Sequence, residues 1–246
     1  MKDFAKRHPL VFGALLFLVT TFAVVPLMLV SEAIGLGREA GSAVGRIVVG
    51  LVLAVLFREC FMWERSLSGL GLALPALVIV AWNVIYHLLS GSQLVAPGAL
   101  AGAVLLGLAP GVFEEVIFRG IVIGKLREGG RGDWQVLLAS SLLFAAVHLT
   151  NAAGMDLASL LVQVGYSFVV GLLLGAIYLR SGDIVTVVLA HALIDVSNQV
   201  FATSPTSSSI PMVVGFVVVL VIEVACALSI MRGRPQEGSA GARHDA

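Results

Sequence analysis

Six residues in three apolar stretches of this chain are of types that do chemistry together. Glu114, Glu115 and Arg119 lie in Gly111-Val-Phe-Glu114-Glu115-Val-Ile-Phe-Arg119, His148 closes Phe144-Ala-Ala-Val-His148, and His191 and Asp195 belong to His191-Ala-Leu-Ile-Asp195. A buried carboxylate with a facing histidine can hold and deprotonate a water, and that water could attack an amide. A second histidine opposite could donate a hydrogen bond to the oxyanion that develops on the carbonyl. Alternatively Glu114, His148, His191 and Asp195 form a nitrogen and oxygen ligand set suited to zinc, which would acidify its bound water. Residue type and spacing leave both routes open.

Helical phase assigns roles within the set. Glu115 and Arg119 are four apart and share a face, so pairing would neutralise both charges, and the pair reads equally well as structural. Glu114, about 100° around the helix, is then the free acid. His191 and Asp195 are also four apart, so the carboxylate could orient the imidazole or join it as a ligand. Phe144 lies one turn below His148 and is expected to pack beside it.

The elements that must position these groups are membrane helices. Of 246 residues, 59% are hydrophobic and 12% charged, with a mean hydropathy of +1.02, against roughly 25% charged in a soluble domain. Apolar runs near 10–30, 43–58, 70–89, 97–125, 134–150, 157–179, 183–201 and 210–231 predict an all-α, polytopic bundle of about eight transmembrane helices. The second and fifth are the shortest. Residues 1–231 read as one transmembrane domain with its chemical core at about 110–200, and the polar, glycine-rich stretch 232–246 as a disordered cytoplasmic tail. The first apolar run is too long for a cleaved signal peptide and is kept as a span.

Lys and Arg collect in cytoplasmic loops. With the N-terminus inside, twelve of the fifteen basic residues fall on inner segments and only Arg38 and Arg46 near the outer side, so both termini are expected in the cytoplasm. Counting about 1.5 Å per residue from the inner ends puts Glu114, His148 and His191 at roughly 16, 21 and 12 Å. Ionisable groups at such depth are costly and therefore tend to be functional. A shared level is what one site between helices requires.

The net charge is zero and no block of like charge occurs, which excludes a nucleic-acid partner and leaves the lipid bilayer and a membrane-associated peptide or protein as partners. Cys60 and Cys226 have no CxxC spacing and are expected as free, packed thiols.

Glu114-Glu-Val-Ile-Phe-Arg119, Phe144-Ala-Ala-Val-His148 and His191-Ala-Leu-Ile-Asp195 resemble, in order, the EExxxR, FxxxH and HxxxN/D motifs of the CAAX-protease and bacteriocin-processing family of intramembrane endopeptidases. GLLLGAIYLRSGDIVTVVLAHALID is similar to that family's approach to its last motif. The resemblance spans roughly 110–200. It implies proteolysis within a bacterial-type cell membrane, with Glu114 as general base beside His148, Glu115 and Arg119 in support, and His191 on the oxyanion side. Members are commonly labelled metalloproteases, so a divalent metal such as zinc is the implied cofactor. Many have Asn where this chain has Asp195, and an ionised Asp cannot donate to an oxyanion. Asp195 is then protonated, an acceptor that orients His191, or a metal ligand.

Two other functions compete: a non-proteolytic immunity or regulatory protein of the same family, and a proton- or ion-coupled transporter using the acids and histidines as relays. The intact residue set argues against the first, and the lack of paired inverted repeats against the second. Arg46, Asn83, His87, Gln163, Asn198 and Glu223 stand alone in their spans and read as interhelical hydrogen-bonding or interface residues. Gly165, Gly171 and Gly175 read as close-packing positions, Trp63 and Trp134 as interface anchors, and Trp82 as deeper in its span.

Overall fold

The computed structural model describes residues 2–62, 68–202 and 210–233. Among the described residues the principal elements are the helices α1 (Pro9–Ala33), α2 (Arg38–Leu56), α3 (Ala76–Leu89), α4 (Pro97–Glu128), α5 (Asp133–Ala153), α6 (Leu157–Ser181), α7 (Ile184–Gln199) and α8 (Ile210–Arg232). Six of them, all but α3 and α7, are long and apolar enough to cross a membrane. Phe22 on α1 is 73% exposed and Val55 on α2 71%. Apolar surface of this extent marks a lipid-facing wall rather than a water-facing one.

The third span differs from its hydropathy run. The chain forms a short helix at Ser68–Leu72, breaks, and resumes at Ala76 directly after Pro75, which removes one backbone donor at the junction. The shortest of the eight are therefore α3 and α7, with 14 and 16 residues, not the second and fifth runs. Trp134 lies half-exposed in the first turn of α5, and Trp82 sits inside α3. Trp63 and the tail from residue 234 lie outside the described residues.

Helix α4 is the centre of the bundle. It begins with a 3₁₀ turn, runs as an α-helix over Leu100–Glu115, widens into a π-helix over Val116–Val122 and ends as an α-helix over Ile123–Glu128. Ile117, Phe118, Ile121, Val122 and Ile123 are fully buried. Its most extensive contact is with α7, to which it runs antiparallel. The register is pinned outside the helices, where the Val95 amide donates to the Val200 carbonyl (2.9 Å) and the Ala202 amide to that of Gln93 (2.8 Å).

Two glycines one turn apart let the backbones of α4 and α7 touch. A Cβ on Gly107 would lie 2.5 Å from the Val196 amide nitrogen, and one on Gly111 2.9 Å from that of Ala192. This small-xxx-small seam carries Glu115 one further turn along, opposite His191. Gly107→Ala is expected to lower the melting temperature of the purified protein by several degrees, as overpacking costs about 1–3 kcal/mol. An unchanged melt would mean that the seam has room to spare.

The turn from α6 to α7 is equally constrained. Gly182 adopts φ +67°, a left-handed conformation suited to glycine, and caps α6 through a bond from its amide to the Tyr178 carbonyl. Asp183 then caps α7, its carboxylate accepting from the Val185 amide (2.9 Å) and the Thr186 hydroxyl (2.6 Å). Gly171 and Gly175 pack against Ser141 and Leu137 of α5, whereas Gly165 has open space around its Cα and is not a packing position. Both cysteines are free thiols.

Candidate active site

Three helices bring the six chemistry-bearing residues together, but they separate into two layers. Glu114, His148, His191 and Asp195 line a cavity of about 430 Å³ bounded by α1, α2, α4, α5, α6 and α7. Glu115 and Arg119 lie behind its wall, 0% and 1% exposed. The phase argument for Glu114 against Glu115 is thus realised in space.

The inner layer is a bonded network. The Arg119 Nη1 donates to Glu115 Oε1 (2.7 Å), and its Nη2 donates to the Gly171 carbonyl on α6 (3.3 Å). The same Glu115 oxygen lies 2.7 Å from His191 Nδ1, so that nitrogen carries a proton and donates. One carboxylate oxygen therefore ties α4 to α7 and, through Arg119, to α6. The π-turn begins immediately after Glu115 and contains Arg119. Ser140 of α5 donates to the Phe118 carbonyl within the π-turn (3.1 Å).

Phe144 joins the layers. The Arg119 guanidinium sits 4.4 Å from its ring centroid, a cation–π contact. Its edge-on neighbours are His148 at 5.1 Å, His191 at 5.9 Å and Phe118 at 5.2 Å. Packing beside His148 was expected. Contact with three motif residues at once was not.

In the cavity layer, His148 Nδ1 lies 2.8 Å from the Phe144 carbonyl, which can only accept, so Nδ1 carries the proton and the lone pair of the neutral ring is on Nε2. His148 stands where α5 tightens from α to 3₁₀ geometry. Among the described residues Glu114 has no hydrogen-bond or ion-pair partner. His191 meets a second carboxylate besides the Asp195 that the spacing of four suggests. Its orienting carboxylate is primarily Glu115, while Asp195 stands 3.6 Å from Nε2, beyond a direct hydrogen bond.

The four candidate metal ligands share the cavity, yet among the described residues no three His, Cys, Asp or Glu side chains converge in a group that could hold a metal ion. His191 already faces a carboxylate at each ring nitrogen. As placed, these side chains do not form a zinc site, and no step is derived through a metal.

Several residues set aside from sequence belong to the cavity. Arg46 of α2 lines it together with Glu114 and Asp195, as does Gln163, which accepts from Asn151 (3.0 Å). Thr21 of α1 and Tyr166 of α6 also line it, and both of their hydroxyls are buried without a hydrogen-bond partner. A polar face at Gln163, Tyr166 and Ser167 was the available signal for α6. The remaining isolated residues are structural, as expected: Asn83 donates to Ser197 (2.8 Å), and His87 meets Asn198 (3.3 Å) while stacking on Phe201.

Glu223 on α8 is different, because it is fully buried and both its carboxyl oxygens lack partners. An unsatisfied buried group costs about 1–3 kcal/mol. Glu223→Met, similar in shape and apolar, is therefore expected to raise the melting temperature by a few degrees, and a fall would reveal a polar partner for that carboxyl.

The geometry defines a class: a polytopic helical integral membrane protein holding a carboxylate and histidine centre inside its bundle. Residues 96–197 match the family model described as type II CAAX prenyl endopeptidase Rce1-like, in line with the resemblance of the three motifs. The matched stretch contains all six motif residues. Neither the curated proteins nor the solved structures yielded a match to the chain.

Proposed function

We propose that the protein is an intramembrane endopeptidase that hydrolyses a peptide bond of a membrane-associated substrate. The observation that carries this is the division of labour between adjacent acids. Glu115 is consumed by Arg119 and His191 behind the wall, while Glu114, unpaired, and His148 both line the cavity.

A water held between the Glu114 carboxylate and His148 Nε2 gives up a proton to Glu114 as its oxygen attacks the scissile carbonyl carbon. The tetrahedral oxyanion forms, Glu114 passes the proton to the leaving amide nitrogen, and the C–N bond breaks. Both products leave with ordinary termini, so no redox partner is required. Arg119, Glu115 and Phe144 hold the histidines at fixed angles and keep the centre preorganised.

In this reading all eight helices cross the bilayer and both termini are cytoplasmic. The helices α3 and α7 reach only about 21 and 24 Å, less than the roughly 30 Å of hydrocarbon, and their packing inside the bundle compensates for the short length. The test is cleavage of quenched fluorogenic transmembrane peptides by detergent-purified wild type and Glu114→Gln. Turnover by wild type and none by the variant supports the proposal. A folded wild type that cleaves nothing across a broad peptide set overturns it in favour of a binding role.

A further inference from the structure

The proposed hydrolysis needs a donor for the oxyanion, and the cavity lining offers groups besides the motif histidines, the Arg46 guanidinium among them. His191 is held between two carboxylates, with Nδ1 donating to Glu115 and Nε2 facing Asp195. His148 has its one neutral-state N–H committed to the Phe144 carbonyl. Glu114 and an ionised Asp195 only accept. Thr150 and Asn151 spend donors on Val147 and Gln163.

Two residues that line the cavity, Thr21 and Tyr166, carry buried O–H groups that bond to nothing. Of the two, the phenol is the more acidic by several orders of magnitude and so the stronger donor to a developing negative charge. Tyr166 is also well held. It lies on α6 in line with Gln163, Ser167 and Val170, which line the same cavity, and its ring packs on Phe216 of α8 at 6.0 Å. It forms part of the wall between this cavity and a second one of about 600 Å³ lined by α3, α6, α7 and α8.

A buried hydroxyl without a partner is destabilising, and such groups persist where function requires them. Resting on the endopeptidase reading, we propose that Tyr166 is a further catalytic residue, its hydroxyl donating to the scissile carbonyl oxygen as that oxygen becomes an oxyanion. In the free protein this O–H has no internal acceptor. The substrate carbonyl supplies one.

The test is Tyr166→Phe, which deletes only the hydroxyl. Because that hydroxyl bonds to nothing within the protein, the variant is expected to melt at or above the wild-type temperature. On a transmembrane peptide cleaved by wild type, kcat is expected to fall about 10²-fold or more with KM nearly unchanged, the signature of a bond made only in the transition state. A kcat within about threefold of wild type overturns the assignment, as does a loss accompanied by a lower melting temperature or one confined to KM. Glu114→Gln run in parallel separates the two readings. If wild type cleaves and Glu114→Gln does not, the endopeptidase reading stands whatever Tyr166→Phe does. If wild type is inert, both fall.

Discussion

Glu114→Gln is expected to abolish measurable cleavage, with kcat/KM reduced by about 10³-fold or more, while the melting temperature stays within about 2 °C of wild type. General-base catalysis contributes about 10²–10⁴ on its own, and an amide can neither accept the water's proton nor return it to the leaving nitrogen. The small stability effect follows from the surroundings. Among the described residues Glu114 bonds to nothing, and it lines a cavity, so a near-isosteric neutral group removes no partner and leaves no void. Comparable turnover by two folded proteins would remove Glu114 from the mechanism and send the search for a base to Asp195, the other carboxylate on the cavity lining.

Arg119→Met is expected to do the reverse at the neighbouring acid. It strands Glu115, fully buried, with only His191 beside it, removes the donor to the Gly171 carbonyl and takes the cation off the Phe144 ring. Breaking one partner of a buried pair costs about 3–5 kcal/mol, which for a chain of this size corresponds to a fall in melting temperature of roughly 6–20 °C. Activity should fall with it, since Phe144 positions both histidines. The double variant Arg119→Met with Glu115→Met takes out both charges together and should melt well above the single variant. A single variant as stable as wild type would mean that Glu115 is neutral in the folded protein and that Arg119 contributes little to the centre. The adjacent acids thus make opposite predictions. Glu114 is expected to govern rate and Glu115, through its partners, stability.

Much of this was legible in the chain itself. Apolar runs of membrane length determined the helices, because a bilayer admits no other open backbone geometry for such segments. The spacing of four in Glu115 and Arg119 determined their pairing, and the adjacency of Glu114 and Glu115 determined that only one acid could face that partner, because helical phase is a local property. Three motifs in order pointed to the family that residues 96–197 match.

What the tertiary structure alone decided is everything set by how helices approach. The Gly107 and Gly111 seam places Glu115 against His191, so the histidine expected on the oxyanion side is also anchored, through Nδ1, by a carboxylate on another helix. The π-turn after Glu115 rests on packing against neighbouring helices and carries no sequence signal of its own. Arg46, Thr21 and Tyr166 come from helices whose sequences show no motif, and they reach the cavity only because α1, α2 and α6 close around α4. Local spacing specifies which residues share a face of one helix. Which faces meet depends on contacts between residues distant in the chain, and there the shape of small side chains outweighs any motif.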